Sequence, residues 1–586
     1  MKEQKKTVVE LQAAYQQWIE KLESDAQTRR QAALAKVTSA DGVRAWAADL
    51  RAWFRGAVGP LPVAVAPCQP ERTGVVERDG YRVEKWVFET LPGTLTSSNL
   101  YVPAKVNPLG LAICAPLGHW HEGKSNKDHQ QMAGFMALHG IPVLVYDHAG
   151  VGERREYISR LTGLSATGKS PTDEHNHTGA LAALAGIPPC RFFIAEAARA
   201  FEFLASFPFV NRSRIGFTGA SGGGTVSVLA ATVLDEAAFC VPVCIIGGEN
   251  AGEGAGDAEQ HRPEAGLRGV AAVDLLASLV PRPAMIVRER GFEDTARSVA
   301  TLRRLYELAG APQAAGYFAI DDVHGYTHPM TEAVYAFLAA NFGLPGADRN
   351  AWNRVRTLPE KETWCVPSGF LVRDRPQVTL QEQIARLASE PAGLSRERLA
   401  ALLGLADWQR APVPYAFTGE VADTVHVTGV CASRPGELGL MAWRDDKPAD
   451  YWGPGQGALH RSAEAGEFRG LLDFGRSVAG LRVRQILDFL EDHRGKVGEL
   501  AGEGEWSVPV AIACALAPAE LLPRASVRYL PGCFRDHLLA ALNTTARAAY
   551  VPGLLAAGDM DDIVALCGGR LVITHRVDAD GRVVKE

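Results

Sequence analysis

The sequence predicts an α/β architecture: a mostly parallel, doubly wound sheet with helices on both faces, joined to a second, weaker α/β lobe. Three observations predict it. Short apolar, strand-like runs at 83–90, 111–115, 143–146, 215–218, 241–246, 284–287 and 317–320, most of them continuous, read as strands of a sheet covered on both faces. Between them lie stretches with helical spacing at 130–139, 193–207, 226–233 and 296–309, and such strand–helix alternation gives parallel pairing. A fainter alternation of the same kind occupies 376–586.

Ahead of the first strand, Val8, Leu11, Tyr15, Ile19 and Leu22 step by three and four residues, so this segment reads as an amphipathic helix. Residues 32–55 continue in that style, and the prolines of 60–70 end it. A helix-like run at 337–342 closes the first lobe before Gly343. The Pro-, Arg- and Asp-rich stretch 346–375 reads as a linker. The expected domains are therefore 1–70, helical; 71–345, the main α/β domain; 346–375, a linker; and 376–586, the weaker α/β domain.

Composition narrows the function classes. In 586 residues, 61 Lys and Arg face 67 Asp and Glu, a net charge of −6. No basic stripe stands out, so nucleic acid is not an expected partner. Ten cysteines without a CxxC pair argue against a disulfide scaffold or a zinc ribbon. The N-terminal stretch lacks the apolar core of a secretory signal, and no apolar run is long enough to cross a membrane. The expectation is a cytoplasmic protein without a membrane partner.

After the run 215–218 comes Gly219-Ala220-Ser221-Gly222-Gly223, and then a helix-like run. This is G-x-S-x-G between a strand and a helix. A nucleophile on so sharp a turn needs small neighbours, and the helix start offers backbone N–H groups to a developing oxyanion. In this topology an acid and then a histidine must follow. His324 lies just past the run 317–320 and is the expected base; His328 competes, but Pro329 follows it at a helix start. The acid belongs after 284–287, where Asp294 is the first choice and Glu293 the second. Its task is to hold the imidazole tautomer.

Further motifs occur in order around this one. They are Gly118-His119 with Gly123-Lys124, Asp147-His148-Ala149-Gly150-Val151-Gly152-Glu153-Arg154, Asp257-Ala258-Glu259-Gln260, and Asp322-Val323-His324-Gly325-Tyr326. Over about 75–345 the chain resembles the bacterial α/β-hydrolase serine esterases of the acetyl xylan esterase-like group. The resemblance implies an α/β-hydrolase fold and a cofactor-free serine carboxylic-ester hydrolase. It implies an oxyanion hole from the loop after residue 115 with the Gly222 N–H, and an acyl pocket lined by Gly118, His119 and Trp120. It also implies an Asp directly before the Phe that aligns with Phe292, where this chain has Gly291. Glu249 and Glu259 are then alternative acids beside Glu293.

Two other readings were open to the same residues. Gly118 to Ser125 fits G-x-x-x-x-G-K-S after a strand, and Asp147 to Gly150 fits D-x-x-G, which together suggest a nucleotide site. Four consecutive residues His-Trp-His-Glu make a poor phosphate cradle, so the nucleotide reading is set aside. His119 and His121, with His175 and His177 and the nearby Asp173 or Glu174, suggest a metal site. Both His pairs are expected on loops around the pocket, where a polar rim is the simpler role and no metal is needed. Arg154 and Arg155 are candidates to hold a substrate carboxylate, with structural ion pairs the preferred role of Arg154.

In the second lobe, Gly502-Glu503-Gly504-Glu505-Trp506 precedes the apolar run 508–516. The lobe looks like a degenerate copy of the hydrolase, with Gly504 where a nucleophile would stand. The expected function is hydrolysis of a small carboxylic ester through an acyl-enzyme on Ser221, with an acetylated carbohydrate as the family-level substrate. A lactone or amide hydrolase on the same triad, or a weakly active binding protein, is the alternative. Association into a homo-oligomer is left open.

Overall fold

The computed structural model describes residues 2–584 apart from 64–69, 160–164, 168–170, 250–256, 290–291, 349, 406–423, 428–472, 474 and 541–548. The chain divides into two units. The larger comprises Ala26–Asn176 and Pro188–Leu380, and the other Met1–Asp25, His177–Ile187 and Gln381–Glu586.

The larger unit holds one sheet built from β1 (Glu71–Arg78), β2 (Tyr81–Leu91), β3 (Thr94–Pro103), β4 (Ala112–Pro116), β5 (Val143–Tyr146), β6 (Ile215–Ala220), β7 (Cys240–Val243), β8 (Ala284–Arg288) and β9 (Ala315–Ala319). Their order is β1-β2-β3-β5-β4-β6-β7-β8-β9. From β5 to β9 every pairing is parallel. The carboxyl ends of those strands therefore share one edge, where the loops of an open α/β sheet carry function. Each apolar run named above overlaps one of these strands, although β7 ends at Val243, short of the expected 246. Two strands were not expected. β1 is largely exposed and polar, and β3 reads Thr-Leu-Thr-Ser-Ser-Asn at its start although Thr96, Ser97, Ser98 and Asn99 are buried.

Among the helices, α1 (Lys2–Ala35) and α2 (Ala40–Val58) are separated at Ser39, whose hydroxyl accepts from the Gly42 N–H and caps α2. The buried face of α2 is Val43, Ala47, Leu50, Phe54 and Val58. Next come α3 (Lys127–Leu138), α4 (Pro171–Leu184), α5 (Cys190–Ala205) and α6 (Gly222–Val233), then helices Phe292–Leu308 and His328–Phe342. In the stretch 346–375, expected as a linker, Val355, Leu358, Cys365, Val366 and Leu371 are buried. Gln130 holds both the N–H and the C=O of Leu358.

A buried ionic knot ties this unit together. Lys124, Asp147, Glu153 and Arg154 are each about 1 % exposed or less. The Asp147 carboxylate accepts from Lys124 Nζ (2.7 Å), the Lys124 N–H (2.7 Å), Ser97 Oγ (2.9 Å) and the Glu153 N–H (3.0 Å). Lys124 also bonds Glu153, which takes the N–H groups of Cys365 and Val366. Arg154 pairs with Glu196 at 2.8 Å, the structural role preferred for it. A Cβ at Gly123 (φ +54°) or Gly152 (φ +52°) would lie 2.2 or 2.5 Å from Asp147 Oδ1, so both glycines are required by close approach. The G-x-x-x-x-G-K-S string is thus architecture: its lysine is spent on two buried carboxylates.

In the smaller unit, β10 (Thr424–Val427), β11 (Glu499–Glu503), β12 (Arg524–Pro531) and β13 (Leu571–Val577) pair in parallel, and β14 (Val583–Val584) joins antiparallel. After β11 the chain turns through Gly504 at φ +59° into helix Ser507–Leu516. This is a strand–turn–helix corner without a side chain at its apex. Among the described residues, no helix is long and apolar enough to cross a membrane.

Removing one partner of a buried ion pair strands the other charge. Lys124→Met and Asp147→Asn are each expected to destabilise the larger unit by about 3–5 kcal/mol. Urea unfolding followed by tryptophan fluorescence checks this, and a loss below about 1 kcal/mol would contradict the structural role of the knot.

Candidate active site

Ser221 lies between β6 and α6 at φ +56°, ψ −127°, a conformation that L-residues rarely adopt. The glycines beside it explain why the turn closes. A Cβ at Gly219 would lie 2.3 Å from Gly223 O, and one at Gly223 would lie 2.3 Å from Pro116 O. The Ser221 N–H bonds Val243 O at 2.9 Å, which fixes the corner to β7. Gly222 and Gly223 open α6, so their N–H groups have no intrahelical acceptor and face outward with the positive helix end. The sequence anticipates this sharp strand–turn–helix corner with a serine at its apex.

The loop after β4 lies against the elbow. A Cβ at Gly118 would lie 2.6 Å from Ala220 O. Trp120 packs on Gly118, and its ring stacks on His324 with centroids 6.3 Å apart. Trp120 also meets His129 edge-on at 5.0 Å, and burial pushes the His129 imidazole down to about 3. His324 follows β9, as anticipated, and is half exposed. The buried Tyr326 hydroxyl, 2.8 Å from Thr218 Oγ1, anchors this loop to β6. Among the described residues, no hydrogen bond joins Ser221 Oγ to the imidazole. His328 stands at the start of helix His328–Phe342, stacked on Trp352 at 4.8 Å.

The acid on His324 is Glu289, the first residue past β8. His324 Nδ1–H donates to Glu289 Oε1 at 2.7 Å. Burial pushes this carboxyl up, but the His324 hydrogen bond, its own backbone N–H and Arg288 outweigh it and hold the group down at about 2. Sequence reasoning passed over Glu289 because the resemblance points to the residue before Phe292. The signal available was the end of an apolar strand followed at once by a carboxylate. Gly291 and the side chains of Glu293 and Asp294 lie outside the described residues. Glu249 bonds Thr301 and Arg30, away from the imidazole. Beneath the pair, Cys244 (φ +59°) lies with its sulfur near both His324 and Glu289.

Glu259 is fully buried and bound to two histidines. It bonds His119 Nε2, and its second oxygen is 3.1 Å from His175 Nδ1. Burial opposes its ionisation, but the His119 and His175 charges prevail and hold it well below the usual carboxylate range. A Cβ at Gly222 would meet His119 Nε2 at 2.7 Å and Glu259 Oε1 at 2.8 Å, so this group borders the helix start. His175 and His177 were expected on loops. They stand instead on α4, whose polar sequence Pro-Thr-Asp-Glu-His-Asn-His hides a helical turn with Glu174, His175 and Asn176 buried.

The larger unit therefore has the α/β-hydrolase fold, with Ser221 after β6, Glu289 after β8 and His324 after β9. Among solved structures, a methylesterase is similar at 21% identity and TM-score 0.51, covering 62% of this chain and 79% of its own. A glucuronoyl esterase from Solibacter usitatus is similar at 15% identity and TM-score 0.38 (52% and 95% covered), and an acetyl xylan esterase from Paenibacillus sp. R4 at 16% and 0.34 (50% and 94%). No protein-family model and no curated protein matches the sequence.

Because the Glu289 carboxyl is held down on folding, its bond to His324 stabilises the protein above the unfolded Glu value of ~4.3. That stability is lost as pH falls toward about 2. Glu289→Gln is therefore expected to be less stable than wild type at pH 6, with the gap closing through the acid range. A gap that persists unchanged into strong acid would show that the ion pair is not its source.

Proposed function

We propose that this protein is a serine ester hydrolase with Ser221 as nucleophile, His324 as general base and Glu289 as the acid that orients it. The observation that carries the reading is the strained Ser221 backbone at the head of α6. Such strain persists only where the surroundings over-determine it, and it clusters at working sites. The His324–Glu289 bond adds the second half of the machinery.

Ser221 Oγ attacks the ester carbonyl carbon while its proton passes to His324 Nε2. Glu289 keeps the Nδ1 proton in place and stabilises the imidazolium. Charge on the carbonyl oxygen is taken by the Gly222 N–H and the backbone of the loop after β4. Collapse returns the His324 proton to the leaving alcohol, and water then hydrolyses the acyl-enzyme by the same route. Trp120, on the imidazole, forms one wall of the acyl pocket. The substrates to test first are acetylated and methyl-esterified sugars, the ester classes that the resemblance and the similar folds bring forward.

A fluorophosphonate probe is expected to label the Ser221 peptide, and Ser221→Ala to abolish labelling. With an ester substrate, Glu289→Gln is expected to lower kcat about 10³–10⁴-fold, whereas Asp294→Asn keeps most of the activity. Labelling of folded protein that survives Ser221→Ala, or a collapse of activity in Asp294→Asn with Glu289→Gln spared, overturns the assignment.

A further inference from the structure

Beside the elbow lies a cluster that the proposed triad does not use. His119 Nε2, His175 Nδ1 and a Glu259 oxygen lie within 4.8 Å of one another, and Asp257 Oδ2 is 3.3 Å from His119 Nε2. These two imidazoles and one carboxylate, with Asp257 beside His119, come from three separate chain segments: the loop after β4, helix α4, and the short turn Ala258–Gln260 with the residue before it. Glu259 and His175 are essentially inaccessible, Asp257 is nearly so, and His119 is the outermost member. We propose that His119, His175 and Glu259 form a binding site for one divalent transition-metal ion, supported by Asp257 beside His119, with zinc as the best match.

The hydrogen-bond arrangement of His175 supports this. Its Nε2 is 2.7 Å from Ala149 O, a carbonyl that can only accept. Its Nδ1 on the other side of the ring is turned toward Glu259 Oε2 at 3.1 Å. Metal-bound histidines are typically held in this way, with the far ring N–H donated to a carbonyl that fixes tautomer and ring plane. His119 repeats the theme: its Nε2 faces both Glu259 and Asp257.

Spacing and chemistry agree. Tetrahedral zinc with ligands at about 2.0–2.1 Å places neighbouring ligand atoms roughly 3.3–3.4 Å apart. His175 Nδ1 and Glu259 are 3.1 Å apart, His119 is in closer contact with Glu259, and one ligand atom from each of the three lies within 4.8 Å of the others, so small side-chain shifts suffice to close on an ion. A set of two imidazoles and a carboxylate suits zinc, whereas magnesium and calcium call for oxygen ligands. Glu259, with Asp257 close by, also balances a dication in a buried place next to the positive end of α6, where a bare cation would be repelled. Three protein ligands leave the fourth position to water or another donor.

The test uses the full chain, stripped with a chelator, dialysed, and returned to Zn²⁺ or Co²⁺. Elemental analysis is expected to find about one zinc per chain, with a raised thermal midpoint and, for cobalt, the intense visible absorption of a four-coordinate site. His119→Asn and Asp257→Asn are expected to weaken zinc binding at least ~10-fold. Glu259→Gln should abolish binding, but it changes a buried group and is read only if the chain folds. His121→Asn, an exposed neighbour, is expected to bind as wild type does. Failure of folded wild-type protein to take up zinc, or His119→Asn and Asp257→Asn variants that bind as tightly as wild type, overturns the proposal. A loss on His121→Asn equal to that of His119→Asn would place the metal elsewhere and overturns it too. None of these readouts depends on ester hydrolysis.

Discussion

The larger unit is organised around one buried carboxylate. Asp147, at the end of β5, accepts bonds from β3, from the turn after β4 and from the turn that carries Glu153. Lys124 sits between it and Glu153, and Glu153 reaches the backbone of Cys365 and Val366. Four stretches distant in sequence are thereby held at a common depth beneath the carboxyl edge of the sheet. Isolated buried charges would be prohibitive, but here the Lys124 ammonium has three partners, Ser97, Asp147 and Glu153. Burial pulls the Lys124 ammonium down, and the two carboxylates more than offset it, so its charge is held firmly. The loop bearing His119 and Trp120 runs into this knot at Lys124 and packs on the core through Leu117 and Trp120, so both charge pairing and apolar packing hold it against the corner.

That arrangement explains which parts of the molecule were legible in the sequence. Strands β4 to β8 are largely apolar runs buried almost throughout because both faces are covered, and a period-free apolar run is easily seen. Ser221 was legible because its glycine neighbours are demanded by backbone contact, and His324 because it follows a late strand in the order that the fold requires. β3 was invisible for the opposite reason: its buried face is Thr, Ser and Asn, partnered by the knot and the nearby backbone rather than by hydrocarbon. The lysine of the phosphate-loop look-alike was misleading in the same way, because the sequence does not reveal that Asp147 and Glu153 would claim it.

Glu289 and α4 show a different limit. The resemblance to a family fixed attention on the place before Phe292, and a carboxylate two residues upstream of Gly291 was overlooked although it closes the strand. α4 was taken for loop because Asp173, Glu174, His175, Asn176 and His177 lack an apolar stripe. In its first half the buried side chains are polar (Glu174, His175, Asn176 and His177), and hydrophobic periodicity cannot detect that. Within the smaller unit, Gly504 repeats the left-handed corner of Ser221, at φ +59° against +56°. The backbone form of an elbow there is independent of having a nucleophile on it.

The position of the acid has a consequence for how such an enzyme can change. A carboxylate carried by a loop ties that loop to catalysis, and each insertion or deletion puts the triad at risk. Glu289 instead follows β8 immediately, and its backbone C=O accepts from the Asp322 N–H of the histidine loop. Its longer side chain covers the remaining distance. On the proposed reading, the place of the acid is therefore fixed by the end of a strand rather than by the conformation of a loop.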